Sequence, residues 1–126
     1  MRLVVDSNGW LEYFTAGKLA PKFKPYIDSA DPRHVFTPTI VLFEVFKKLA
    51  AMRNKETAIQ AIAHISAKTT VIQLTAEIAL HAASLSLSNN LAMADSIIKA
   101  TSDDLDATLI TADPDFKNLQ KVELIQ

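Results

Sequence analysis

The chain has no cysteine and only two glycines among its 126 residues. The first absence removes disulfide frameworks, thiolate metal sites and cysteine nucleophiles; it suits a reducing compartment, and a cytoplasmic location is expected. The scarcity of glycine, with hydrophobic residues at 49% of the sequence, argues against disorder and for a compact, helix-rich globule. Neither sign of charge dominates, since 13 Lys and Arg stand against 14 Asp and Glu. A protein held to nucleic acid by bulk charge usually carries a basic excess. Long apolar runs are missing too. Leu3 to Val5 precede Asp6 and are too few for a signal peptide. The stretch 78–94 lacks Lys, Arg, Asp and Glu, but His81, three serines and Asn89-Asn90 interrupt it, so it is no membrane span. A soluble protein without a membrane partner is expected, as a single domain over 1–126.

What is present alternates between strand and helix signals. Arg2 to Asp6 is a short β-branched run that ends on a polar residue, the pattern of a buried strand. Residues 9–29 predict a short and a longer helix, broken near Gly17 and Pro21. Residues 34–36 predict a second strand, and Thr37-Pro38 predicts an N-cap followed by proline in the first helical turn. A strong helix is expected from there to Met52, another over 55–66, and a third strand over 69–72. Thr75 is expected to cap a helix reaching about Ser88. Asn89-Asn90 would end it and cap a helix over 91–104. Strands over 107–111 and 122–125, with a helical turn over 114–119 between them, complete the order. Such alternation implies α/β architecture with a parallel sheet covered on both faces.

Four carboxylates stand in telling places. Asp6 follows the first strand and Asp113 follows the fourth, and the carboxyl ends of strands are where parallel α/β sheets gather ligand chemistry. Both also suit helix capping, Asp113 because Pro114 follows it. Glu44 lies in the apolar segment Ile40-Val-Leu-Phe-Glu-Val-Phe46, where an unpaired carboxylate is costly. A partner at i+4, Lys48, would offset only ~0.3–0.5 kcal/mol at a surface. Asp95 repeats the pattern in Leu91-Ala-Met-Ala-Asp-Ser-Ile-Ile98, with Lys99 at i+4, and its first-turn position also suits the helix dipole. Converging on one sheet edge, the four would repel by roughly 4 kcal/mol per pair at ~4 Å and an effective dielectric near 20. They would then take up protons or hold a cation. Hard oxygen donors point to Mg²⁺ or Mn²⁺, ions suited to phosphodiester chemistry. His34, His64 and His81 show no ligand spacing and read as structural. The basic clusters Lys18, Lys22, Lys24 and Lys47, Lys48, Arg53, Lys55 read, on charge alone, as solvated helix faces.

Over its full length the chain resembles PIN-domain ribonucleases, and its small size resembles the VapC-type toxins among them. The resemblance rests on Val4-Val-Asp-Ser-Asn8, Phe43-Glu-Val45, Leu91-Ala-Met-Ala-Asp-Ser-Ile-Ile-Lys-Ala100 and Ala107-Thr-Leu-Ile-Thr-Ala-Asp-Pro-Asp-Phe116, in that order. It implies a three-layer α/β/α sandwich around a parallel sheet of about five strands. It also implies an acidic site for Mg²⁺ or Mn²⁺ that cleaves single-stranded regions of RNA. By the same resemblance Asp6, Glu44, Asp95 and Asp113 form the catalytic and metal-holding quartet. Ser7, Asn8 and Thr111 support it, and Asp115 acts more remotely, through water. The implied partners are RNA and a small cognate antitoxin that inserts a segment near the acidic groove. Asp106 and Asn89-Asn90 stand where the family often has glycine, and Asp tolerates a left-handed turn at modest cost.

Two other functions compete with this one. A PIN scaffold without catalysis would serve as a binding module in an assembly. An aspartyl phosphotransfer domain would need a second Asp two residues after Asp6, where Asn8 stands, or an acceptor Asp after the third strand, where Gln73-Leu74-Thr75 stands. The aromatics Trp10, Tyr13, Phe14, Phe23 and Tyr26, interleaved with Lys18, Lys22 and Lys24, read either as inward packing or as a groove for the antitoxin, with a homodimer interface elsewhere.

Overall fold

A computed structural model describes residues 1–126. Its first strand, β1 (Leu3–Val5), leads into α1 (Ser7–Thr15) and α2 (Ala20–Asp28), then β2 (Val35–Pro38), α3 (Thr39–Met52) and α4 (Lys55–Lys68). After β3 (Thr70–Ile72) come α5 (Ala76–Asn89), α6 (Met93–Asp104) and β4 (Thr108–Thr111). A 3-10 turn over Pro114–Phe116 precedes β5 (Val122–Leu124). Five strands form one sheet in the order β3-β2-β1-β4-β5, and all four neighbouring pairs are parallel. This is the expected three-layer α/β/α arrangement. The chain steps one way from β1 to β3 and then crosses back to β4. Right-handed crossovers therefore place α1 to α4 on one face and α5 and α6 on the other. The direction reverses between β1 and β4, and that is the point where such sheets open a crevice at their carboxyl ends.

The core explains why the apolar runs take these positions. Val4, Val5, Leu109 and Ile110 are sealed in the middle of the sheet and share one core with Trp10, Val41, Val45 and Leu49 from one helical layer and Ile98 from the other. Gly9 sits where α1 approaches both β1 and α2. A Cβ there would lie 2.7 Å from the Phe23 ring and 2.8 Å from Val5 Cγ1. A smaller cluster of Ile78, Ala82 and Ala100 joins α5 to α6.

Several local expectations are corrected. Helix α1 begins at Ser7, and α1 and α2 have the same length of nine residues. Thr37 does not cap a helix: it is fully buried in β2, and its hydroxyl meets that of Thr69 at 2.7 Å. Pro38 ends the strand, and α3 starts at Thr39 without a side-chain cap. Asn90 does not cap the following helix either. It adopts a left-handed φ of 54° at the end of α5, and α6 begins at Met93 behind an uncapped Ala92. Asp106 takes the left-handed turn expected of it, with φ 53°. Of the five aromatics, Trp10 and Phe23 are wholly buried, whereas Tyr13, Phe14 and Tyr26 pack partly against the core.

Candidate metal centre

Asp6 is the first residue past β1, and the chain turns there directly into α1. Its Oδ1 accepts from the Ser7 backbone N–H at 2.8 Å and its Oδ2 from the Thr111 hydroxyl at 2.7 Å. Asp6 thus caps α1 and faces β4 with the same carboxyl group, so capping and participation in a site are not alternatives. Burial pushes its pKa up. The hydrogen bonds from Thr111 and Ser7 oppose that rise, and the nearby charges of Glu44 and Asp113 add to it.

Thr111 joins a second acid to the first. Its Oγ1 also accepts from the Asp113 backbone N–H at 3.0 Å, which fixes the loop leaving β4. Asp113 Oδ1 in turn accepts from the Asp115 N–H at 2.9 Å and caps the 3-10 turn. Glu44 arrives from α3, where its Oε1 accepts from the Ser7 hydroxyl at 2.8 Å. That contact spans 37 residues, and no ion pair forms between Glu44 and Lys48. Asp95 enters from the first turn of α6. Its expected partner Lys99 is engaged instead with Asp103, the residue one turn further on.

Three of the carboxylates converge most closely, and Asp6 and Glu44, both of the expected quartet, stand outside that group and act on Asp95 by their charge. Asp95, Asp113 and Asp115 each offer an oxygen within 4.8 Å of the other two, and no other group of three or more potential metal ligands occurs in the chain. Burial raises the pKa of Asp95 to about 6, and the charges of Asp6, Asp113, Glu44 and Asp115 all add to the rise. Asp115, expected at more remote range, stands within this group. Asn8, expected as a support, forms no hydrogen bond to the acids, and its buried Oδ1 has no partner. Sequence reasoning had no signal for the link from Ser7 to Glu44, because only the packing of α1 beside α3 brings the two together.

The donor set fits a hard divalent cation. It is all oxygen, and burial, with the neighbouring acidic charges adding to it, raises the Asp95 pKa to about 6. A cation among the acids would replace their mutual repulsion by attraction.

A family model described as PIN domain matches residues 3–122. The chain belongs to the PIN-domain family. Solved structures of other PIN-like chains share its fold. VapC20 of Mycobacterium tuberculosis, described as a sarcin–ricin loop cleaving toxin, superposes with a TM-score of 0.82 at 21% identity over 98% of this chain and 99% of that one. A toxin–antitoxin complex from Klebsiella pneumoniae gives 0.78 at 21% identity, covering 98% of both chains. VapBC2 from Rickettsia felis, solved with a promoter DNA fragment, gives 0.77 at 15% identity over the full length of both. No curated protein sequence matches the chain. In this PIN domain the acids named above stand at the carboxyl edge of the sheet, around the β1–β4 switch point. No helix is long and apolar enough to cross a membrane.

Proposed function

We propose that this PIN domain is a divalent-metal-dependent endoribonuclease and the toxin component of a toxin–antitoxin pair. The observation that carries the reading is the group of Asp95, Asp113 and Asp115 at the switch point of the sheet, with the charges of Asp6 and Glu44 acting on it. A fold kept only as a binding module has no evident use for three carboxylates held this close together, one of them with its pKa raised by burial and by neighbouring charge. Asp6, Asp95, Asp113 and Glu44 would hold Mg²⁺ or Mn²⁺, and Asp115 would complete the set. Bound there, the ion supplies Lewis-acid stabilisation of a phosphodiester and an acidified water. Ser7 and Thr111 act as positioning residues, since each fixes one carboxylate oxygen by a hydroxyl hydrogen bond. RNA is taken as the substrate class from the Mycobacterium toxin of like fold, described as cleaving the sarcin–ricin loop.

The partner reading follows from the Klebsiella and Rickettsia complexes. A hollow of about 560 Å³ between α1 and α2, lined by Tyr13, Phe14, Ala20 and Pro21 with Lys24 at its rim, is the surface assigned to an antitoxin segment. Rings give such a groove area at little entropic cost.

The test is incubation of the purified protein with total RNA in Mg²⁺, in Mn²⁺ and in EDTA. Cleavage is expected only with metal, and Asp6→Asn, Asp95→Asn and Asp113→Asn should each abolish it while leaving the circular dichroism spectrum unchanged. Cleavage at wild-type rate by any of the three would strike that residue from the site, and metal-independent cleavage would overturn the mechanism. Co-expression with the product of the neighbouring gene tests the pairing. Copurification together with loss of activity is the expected result.

A further inference from the structure

The second basic cluster of the chain lies beside the acids. Helix α3 carries Glu44 into the site, and on its outer side Phe43, Lys47, Lys48 and Ala51 line, with Glu44, a hollow of about 250 Å³. Phe43 leaves 60% of its surface in solvent although most large apolar side chains of α3 are buried or half-buried. The Lys47 ammonium stands 5.7 Å from the centre of the Phe43 ring. Four side-chain ion pairs form in the molecule, Lys24–Asp28, Arg33–Asp31, Lys99–Asp103 and Lys121–Asp106, and neither Lys47 nor Lys48 takes part in one. Two uncommitted cations and an open ring therefore adjoin a carboxylate cluster, in a chain whose net charge is −1.

Charge complementarity selects the occupant. A strand of phosphates crossing the acidic cluster needs positive charge immediately next to it, and the remainder of this chain offers no basic excess to supply it. An exposed ring beside lysines matches single-stranded nucleic acid, in which unpaired bases stack on aromatic faces while cations follow the backbone. We propose that the outer face of α3 is the single-strand track of the nuclease: a base flanking the scissile phosphate stacks on Phe43, and Lys47 and Lys48 bind the phosphates on that side. This rests on the nuclease reading and names the groups that hold its substrate.

The experiment measures binding of a 5′-labelled 12-nucleotide single-stranded RNA of mixed sequence, with its duplex as control. Asp6→Asn is present in every protein so that the probe survives in Mg²⁺. Phe43→Ala should weaken single-strand binding roughly tenfold and leave duplex binding nearly unchanged, because stacking needs an unpaired base. Lys47→Gln with Lys48→Gln should lower the slope of log K against log salt by about 1.4, at about 0.7 per phosphate contact on a single strand. Phe43 and both lysines are exposed, so the fold should survive, with thermal melting as the check. Unchanged affinity and salt slope in both variants would overturn the track. So would loss of antitoxin copurification or of self-association on Phe43→Ala without loss of RNA binding, which would make this face a protein interface. Cleavage of total RNA by the wild type decides the nuclease reading separately, so the two can fail independently.

Discussion

The Thr111 hydroxyl donates to Asp6 Oδ2 at 2.7 Å, across 105 residues of sequence. Both residues are buried, and the same oxygen of Thr111 accepts the backbone N–H of Asp113. One hydroxyl thus sets the positions of two acids on neighbouring strand ends. Thr111→Val keeps the shape and removes this link. The Asp6 pKa, already raised by burial, should rise further once its strongest opposing hydrogen bond is lost. Metal binding needs the ionised form, so the acid limb of the pH–rate profile should move to higher pH. Stability at pH 7 should fall by about 1–3 kcal/mol in urea denaturation, the usual cost of a buried polar group short of a partner. An unshifted pH profile would remove Thr111 from the positioning role.

Asp95 gives the protein a pH-dependent stability in the absence of metal. Its folded pKa is about 6 against an ordinary value of 3.8. Between these values the folded chain keeps a proton that the unfolded chain has released. Its contribution to stability is therefore complete below about pH 4 and is lost as pH rises through 6. In EDTA, Asp95→Asn should melt higher than the wild type at pH 7, and the difference should vanish towards pH 4. Mg²⁺ or Mn²⁺ should raise the wild-type melting temperature at pH 7 more than that of the variant. A variant less stable than wild type at pH 7 in EDTA would show that the fold favours the charged form of Asp95, against the penalty that burial and the neighbouring charges impose.

Gly9 sets how closely α1 approaches the sheet. A methyl group there would press on Phe23 and Val5, both buried and unable to swing aside into solvent. Gly9→Ala should destabilise the protein by about 1–3 kcal/mol through overpacking, even though alanine favours a helix. Urea titration measures the loss. An unchanged or raised midpoint would mean that α1 can shift outward without cost.

The sequence made the strand ends legible, because Asp6 and Asp113 each follow an apolar run and the parallel architecture aims such positions at one edge. It also revealed the acids on α3 and α6, since a carboxylate in an apolar segment demands a partner. It did not reveal which partner. Spacing rules see only neighbours in the same helix, so they offered Lys48 to Glu44 and Lys99 to Asp95. Packing brought Ser7 to Glu44 instead, and Lys99 turned to Asp103. Thr37-Pro38 misled for a related reason. The pair has the chemistry of a helix start, yet the Thr37 hydroxyl is used in a bond to Thr69 between α3's preceding strand and the end of α4, a tertiary contact with no local sign.

The strand order carries a last consequence, for synthesis. Strand β1 lies in the middle of the sheet, flanked by β2 made early and by β4 made late. A nascent chain that has not yet released β4 from the ribosome exposes β1 as an edge strand, with Asp6 lacking its Thr111 donor and with no Asp113 or Asp115 beside it. The acids cannot assemble until β4 has inserted next to the first strand and the turn after it has placed Asp113 and Asp115. Assembly of the acidic group is therefore tied to the closing of the sheet, and any chain in which β4 has not yet joined β1 lacks it.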